Sequence, residues 1–74
     1  MHISVKLFAM LQKDRFDSRN LDVPEGSTAG KVIHSIGIPP KEVALIFVNN
    51  RHGGLDTLLA EGDVLALFPP IGGG

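Results

Sequence analysis

The sequence predicts a single α+β domain in which one main helix packs across one face of a mixed sheet of four to five strands. Three observations predict this fold. The chain has only 74 residues, which is enough for one domain. Segments near both of its ends have the patterns of strands, and a single segment has the spacing of an amphipathic helix. Because one helix can cover only one face of a sheet, the other face is left to solvent or to a partner.

The first strand is predicted at residues 2–7, where polar and apolar residues alternate. Phe8 has the parity of the face opposite to the apolar residues of this strand. A polar loop at residues 12–18 separates it from a second alternating segment at residues 19–23. Strands this close in sequence usually pair, so we expect a hairpin.

A helix is predicted at residues 29–36, with Ser27 or Thr28 as its N-cap. Gly37 suits the left-handed position past its end. Gly30 costs this helix about 1 kcal/mol relative to Ala, so the helix must depend on tertiary packing. The apolar stripe at i, i+3, i+4 and i+7 consists of Ala29, Val32, Ile33 and Ile36.

The second half of the chain supplies the remaining strands. Residues 43–48 are a nearly continuous apolar run, typical of a strand buried on both faces. Residues 49–54, with two Asn and two Gly, are predicted to form a turn. Residues 55–59 are either a short strand or one helical turn. A tight turn at residues 60–63 precedes the last strand, residues 64–68, and we expect the first and last strands to lie side by side in the centre.

Composition excludes several classes of function. With no Cys, the chain has no disulfide, no thiolate nucleophile and no Cys-based metal site. The net charge of −1 with scattered signs gives no basic footprint for nucleic acid, and no apolar run is long enough to cross a membrane. His2, His34 and His52 lack ligand spacing, so we predict no metal site. A cytoplasmic location is the default expectation.

Five segments of the sequence resemble the ubiquitin-like sulfur carriers. They are VKLFA at 5–9, PEGST at 24–28, VNN at 48–50, LAEGD at 59–63 and FPPIGGG at 68–74. The Phe-Pro-Pro sequence is more similar to the molybdopterin synthase small subunit than to the thiamine-biosynthesis carrier. The segment between the helix and the third strand is shorter than is usual in the family, and Gly72 stands where Ser, Thr or Ala is common. The resemblance implies a β-grasp (ubiquitin-like) domain at residues 1–68 and a flexible Gly-rich tail at residues 69–74.

The resemblance also implies the chemistry of the chain terminus. An adenylating enzyme of the ubiquitin-activating type would use ATP to activate the carboxylate of Gly74, and a sulfur donor would convert the adenylate to a thiocarboxylate. The chain would bind no cofactor and would be a carrier subunit rather than an enzyme. Its second partner would be the large subunit of a molybdopterin-synthase-like complex. The tail that threads into the partner's active site would comprise Pro69, Pro70, Ile71, Gly72 and Gly73.

The residue types of the tail suit this role. Glycines have no Cβ, so their backbone can approach a reactive centre closely. Two prolines hold the preceding segment extended, which lowers the entropy lost on insertion.

The docking face implied by the resemblance comprises Phe8, His52 and Phe68, on the side of the sheet that lacks the helix. Strand parity independently places Phe8 and Phe68 there, and clustered exposed aromatic residues commonly anchor partners. His52 differs from the apolar residue usual in the family, and its simpler interpretation is a turn residue.

Several alternatives remain open at this point. The same activated Gly74 would serve a protein modifier that is conjugated to lysines. The sulfur acceptor could also belong to thiamine synthesis or to transfer RNA thiolation. A passive interaction domain, whose tail has no role, is the third class. Neither the acceptor nor the oligomeric state follows from the sequence.

Overall fold

The computed structural model describes residues 1–70 of the chain. Within that range lie five strands, one α-helix and two short 3₁₀ helices. In chain order they are β1 (His2–Leu7), a 3₁₀ helix (Ala9–Gln12), β2 (Ser18–Asp22), α1 (Ala29–Ile36), a 3₁₀ helix (Pro40–Glu42), β3 (Leu45–Val48), β4 (Arg51–Gly53) and β5 (Val64–Phe68).

The strands form one mixed sheet in the order β2-β1-β5-β3-β4. β1 pairs with β2 as an antiparallel hairpin and with β5 in parallel. β5 and β4 each pair antiparallel with β3. The prediction of a mixed sheet with the first and last strands adjacent is therefore confirmed, and β5 is the middle strand.

The core lies between the sheet and α1. Alternate residues of the two central strands point toward the helix, and they are almost fully shielded from solvent: Ile3, Val5, Leu7, Leu65 and Leu67. The helix contributes the predicted stripe, of which Ala29, Val32 and Ile33 are buried and Ile36 is partly buried. One face of the sheet is thus covered by the helix, as the alternation in β1 and β5 requires.

The ends of α1 follow the predicted capping pattern. The backbone N–H of Lys31 donates to the Thr28 hydroxyl at 3.2 Å, which makes Thr28 the N-cap. Ser27 is buried instead, and its hydroxyl donates to the carbonyl of Pro24 at 2.6 Å. Gly37 ends the helix in the left-handed conformation, with φ of 89°.

The prediction of a strand buried on both faces at residues 43–48 was wrong. The strand is shorter, Leu45–Val48, and only Ile46 within it is buried. Leu45 and Phe47, on either side of Ile46, face away from α1 and are partly exposed, because the helix covers one face of the sheet only. A uniformly apolar segment therefore alternates between the core and the open face.

The predicted turn at residues 49–54 was too long. Only Asn49 and Asn50 form the turn, both with positive φ (53° and 67°), and Arg51–Gly53 continues as β4. Two consecutive left-handed residues match the right-handed twist of a hairpin, so this turn leads directly into a paired strand. Residues 55–59 are neither a strand nor a helical turn, apart from an isolated bridge between Leu58 and Thr28.

Two further differences lie near the start of the chain. The sequence did not predict the 3₁₀ helix Ala9–Gln12, which places Leu11 in the core at 1% exposure. The second strand is Ser18–Asp22 rather than residues 19–23.

A close backbone contact explains why a glycine, Gly30, lies inside α1. Its N–H donates to the carbonyl oxygen of Leu55 at 2.9 Å. A Cβ at this position would lie 3.0 Å from the same oxygen and 3.2 Å from the Leu55 Cβ. The close approach of the 55–59 segment therefore requires glycine, despite its low helix propensity.

We expect Gly30→Ala to destabilise the protein by about 1 kcal/mol, because overpacking against a backbone carbonyl outweighs the gain in helix propensity. Urea unfolding followed by circular dichroism measures this free energy. His34→Ala, at an exposed position in the same helix, is the matched control and should be stabilising by a few tenths of a kcal/mol. A stabilising effect of Gly30→Ala equal to that of the control would contradict the steric explanation.

Candidate functional site

The open face of the sheet carries a continuous row of four rings, Phe8, Phe68, Phe47 and His52, which we name the aromatic row. Phe8 and Phe68 are stacked, with centroids 4.3 Å apart and planes at 9°. Phe47 meets Phe68 edge-on at 5.7 Å and 85°. His52 meets Phe47 edge-on at 5.8 Å and 74°. These are the offset and edge-to-face geometries that aromatic quadrupoles favour.

Strand register explains why the rings meet. Phe68 follows buried Leu67 in β5 and so points away from the helix. Phe47 is the register partner of Ala66 on one side and of His52 on the other. Phe8 directly follows β1, which runs parallel to β5, so its ring lies beside that of Phe68. The row therefore runs across the sheet from β1 to β4.

The structure places all three predicted docking residues on this one face. Phe8, His52 and Phe68 belong to the aromatic row, and His52 lies in β4 rather than in a turn. Their role in partner binding remains a prediction. Sequence reasoning missed Phe47, because residues 43–48 were interpreted as buried on both faces. No local signal could have found it, because β3 is apolar throughout.

The three phenylalanines of the row are partly buried and His52 is exposed. A shallow hollow of about 310 Å³ lies on this face, bordered by the three phenylalanine rings, Lys6 and Asn50. An apolar patch of this kind with a cation at its border is suited to anchoring another protein.

A hydrogen-bond network fixes the β3–β4 hairpin against the start of β5. The side-chain amide of Asn49 donates to Asp63 Oδ1 at 2.8 Å, and the N–H of Val64 donates to Asn49 Oδ1 at 2.9 Å. Asp63 Oδ2 also accepts from the N–H of Ala60 at 2.7 Å, which closes the turn at residues 60–63. The VNN and LAEGD segments thus hold Phe47 and His52 in position relative to β5.

The start of the tail lies at the end of the aromatic row. The carbonyl of Phe68 accepts a hydrogen bond from the N–H of Ala44 at 2.8 Å, and the N–H of Phe8 donates to the carbonyl of Leu67 at 3.2 Å. Pro69 is buried and Pro70 is exposed. The backbone is therefore fixed up to Pro69. The other predicted tail residues, Ile71, Gly72, Gly73 and Gly74, lie outside the described residues.

Residues 1–70 contain no group of three or more His, Asp or Glu side chains that could hold a metal ion. No helix in this range is long and apolar enough to span a membrane. Residues 1–70 thus provide an aromatic face and a fixed point from which the C-terminal segment begins.

A small β-grasp domain, an aromatic row on its open face and a glycine-rich C-terminal sequence are features of ubiquitin-like carriers. The family model described as ThiS family matches residues 5–74. The chain therefore belongs to the ThiS family, one of the ubiquitin-like sulfur-carrier families. No curated protein gives a significant match.

Solved structures confirm the predicted β-grasp fold. SAMP1 from Haloferax volcanii is 27% identical, with a TM-score of 0.79 and all of both chains covered. A Pyrococcus furiosus protein assigned as molybdopterin converting factor subunit 1 is 27% identical, with a TM-score of 0.73 over 96% of this chain and 99% of that one. The complex of subunits 1 and 2 of molybdopterin-converting factor from Helicobacter pylori matches at 21% identity and a TM-score of 0.64 over all of both chains, which concerns the fold alone.

The stacked pair Phe8 and Phe68 should be energetically coupled. A double-mutant cycle with Phe8→Leu and Phe68→Leu is expected to give a coupling of about 1 kcal/mol in the free energy of unfolding. The control cycle combines Phe8→Leu with His52→Leu, whose rings lie at opposite ends of the row, and should give a coupling near zero. Equal couplings in the two cycles would mean that the stacking contributes nothing specific.

Proposed function

We propose that this protein is a sulfur carrier for molybdopterin biosynthesis. The carboxylate of Gly74 is adenylated by a partner enzyme and converted to a thiocarboxylate, whose sulfur is passed to a pterin precursor. Three features together support the proposal. The chain belongs to the ThiS family over residues 5–74. The open face carries the aromatic row, and the chain leaves this row at a buried proline, Pro69.

The chemistry requires activation from outside. A carboxylate is a poor acyl donor, so ATP must first form a mixed anhydride at Gly74, with release of pyrophosphate. A donor carrying sulfur at the oxidation level of sulfide then displaces AMP, and a carbon–sulfur bond replaces the carbon–oxygen bond to AMP. ATP and the catalytic groups belong to the partner, and this chain acts as its carrier subunit.

The geometry of residues 1–70 supports this division of labour. β5 pairs on both sides, with β1 and β3. The hydrogen bond from Ala44 to the Phe68 carbonyl and the burial of Pro69 fix the point where the tail begins. When an enzyme binds the aromatic row, the tail from Pro70 to Gly74 therefore starts at a fixed position relative to that enzyme. Fixing that origin lowers the entropy cost of placing the terminal carboxylate in an active site.

One comparison supports the molybdopterin pathway. A Pyrococcus furiosus relative, matched over 96% of this chain and 99% of its own, is assigned as molybdopterin converting factor subunit 1. The Helicobacter pylori structure with the same fold is a complex of that subunit with subunit 2. We propose that the aromatic row of this chain docks on a large subunit of the same kind and, at another stage, on the adenylating enzyme.

A second candidate function is protein modification through Gly74. It is favoured by the similarity to SAMP1, which is a small archaeal modifier protein. The activated carboxylate would then be attacked by a lysine amine instead of sulfur. Denaturing gels of cell extract separate the two functions, because only a modifier gives covalent species of higher mass that contain this chain.

We predict that incubation with ATP, a cognate adenylating enzyme and a sulfide source makes the intact chain heavier by the difference between sulfur and oxygen. Mass spectrometry of the whole protein measures this change. The matched control is the same chain with additional residues fused after Gly74, which should remain unchanged. An extended chain that fully supports cofactor synthesis in cells would contradict the proposal.

We also predict that Phe47→Ala weakens binding to the large subunit by about 2 kcal/mol, because truncating a central aromatic anchor typically has this cost. Isothermal titration calorimetry measures the affinity. Leu58→Ala removes an exposed apolar side chain that is 69% accessible and lies outside the row, so it should bind like the wild type. Equal losses for both variants would place the docking surface elsewhere.

A further inference from the structure

A groove with a mixed polar and apolar lining lies between β2 and the C-terminal half of α1, on the helix side of the sheet. We name it the β2–α1 groove; its volume is about 380 Å³. Its floor is formed by Phe16, Leu21, Val23 and Ile36. Each of these side chains packs against the core but is only partly buried. These apolar side chains lie among polar and charged ones, a mixture that is typical of interfaces between protein chains.

One wall of the groove is an unpaired strand edge. Within residues 1–70, β2 pairs with β1 alone. Met1 and Val23 exchange two backbone hydrogen bonds, of 2.7 and 2.9 Å. Bonded and non-bonded pairs alternate in an antiparallel ladder. Since Asn20 and Asp22 occupy the non-bonded positions, opposite Ser4 and His2, their N–H and C=O groups point outward.

The two ends of the groove differ in charge. At one end, the Arg19 guanidinium lies 4.5 Å from the Phe16 ring centroid and forms no ion pair with any residue in 1–70. Arg15 lies at the same end, where its guanidinium donates to the carbonyl of Leu11 at 3.2 Å and pairs with Glu42 at 3.8 Å. Asp14, also in the lining there, offsets part of this charge. Asp22 lies at the opposite end, where it pairs with His2.

We propose that the β2–α1 groove binds an extended peptide segment of another protein as an additional strand, antiparallel to β2. Backbone groups of the peptide bond to Asn20 and Asp22, and its alternate apolar side chains cover the floor of the groove. Antiparallel pairing directs the C-terminal end of the peptide toward Arg15 and Arg19. The segment therefore carries apolar residues at alternate positions, followed by acidic residues.

The strand geometry decides between a peptide and other occupants. The outward backbone groups require a chain that offers its own N–H and C=O groups in extended form, and the guanidinium that stacks on Phe16 favours a carboxylate. The groove faces the helix side of the sheet at the β2 edge, whereas the aromatic row lies on the open face. Both surfaces can therefore be occupied at once, and this proposal does not depend on the function of Gly74.

The probe is a short synthetic peptide with valine at alternate positions, threonine between them and aspartates at its C-terminal end. Binding to the full-length, ¹⁵N-labelled protein is followed by NMR, and we expect the largest shifts at the amides of Asn20, Asp22 and Ile36. Two control peptides have the same length. One carries lysines in place of the aspartates, and the other has the composition scrambled; both should bind at least about tenfold more weakly.

Asn20 offers a matched pair of variants. Asn20→Pro removes the outward N–H without removing a bond to β1, since edge positions of this kind accept proline. Asn20→Ala removes the same side chain, with its contact to Ser4 (2.9 Å), but keeps the N–H. We expect Asn20→Pro to weaken peptide binding about tenfold or more, while Asn20→Ala stays within about twofold of the wild type. Amide spectra and melting curves establish that both variants are folded.

A third variant tests the charge at the groove end. Arg19→Glu should weaken binding of the acidic peptide and strengthen binding of the lysine peptide. Four outcomes would overturn the proposal: equal binding by the two Asn20 variants, equal binding of the scrambled peptide, shifts confined to Phe8 and Phe68, or no binding at millimolar peptide. Concentration-dependent dimerisation that Asn20→Pro abolishes would likewise overturn it, since the occupant would then be a second copy of this chain.

Discussion

The parallel pairing of β1 with β5 is the interaction on which the rest of the structure depends. It joins the two ends of the described chain, and Val5 and Leu65, which are register partners, are both fully buried beneath α1. The same ladder places Lys6 opposite Ala66 on the open face and brings the Phe8 ring onto that of Phe68. One register therefore sets both the core and the aromatic row. A slip of one residue would exchange the two faces, so stability and docking are specified together.

A carrier needs a rigid body and a chain end that begins at a fixed point. β5 meets both needs because it is the middle strand and also the last one. Its hydrogen bonds to β1 and β3, the bond from Ala44 to Phe68 and the buried Pro69 leave little freedom before Pro70. Central strands open only with the whole domain. The origin of the tail is thus among the most stable parts of the fold, whereas an edge strand would have allowed it to fray.

Local sequence patterns were sufficient for β1, β2, β5 and α1, because each has a clear period, cap or turn. They failed at β3 and β4 for different physical reasons. β3 is apolar throughout, so only the position of the helix decides that Ile46 is buried and Phe47 is not. β4 has no apolar alternation and exists through its pairing across the Asn49–Asn50 turn. Parity and family resemblance therefore found three rings of the aromatic row and missed Phe47. Local sequence could not explain Gly30 either, because the residue that it contacts, Leu55, is distant in sequence.

The phenylalanines of this chain lie outside its buried core. All four phenylalanines are only partly buried, and the buried core is built from Ile, Leu, Val and Ala. A domain of this size buries only about 60% of its surface, so leaving its largest apolar side chains outside the core sacrifices stability. Three of them form the aromatic row and Phe16 lines the β2–α1 groove. Rigid aromatic rings contribute large contact areas to interfaces at low entropic cost. The aliphatic core therefore stabilises the fold, and the phenylalanine rings remain partly exposed at the surface.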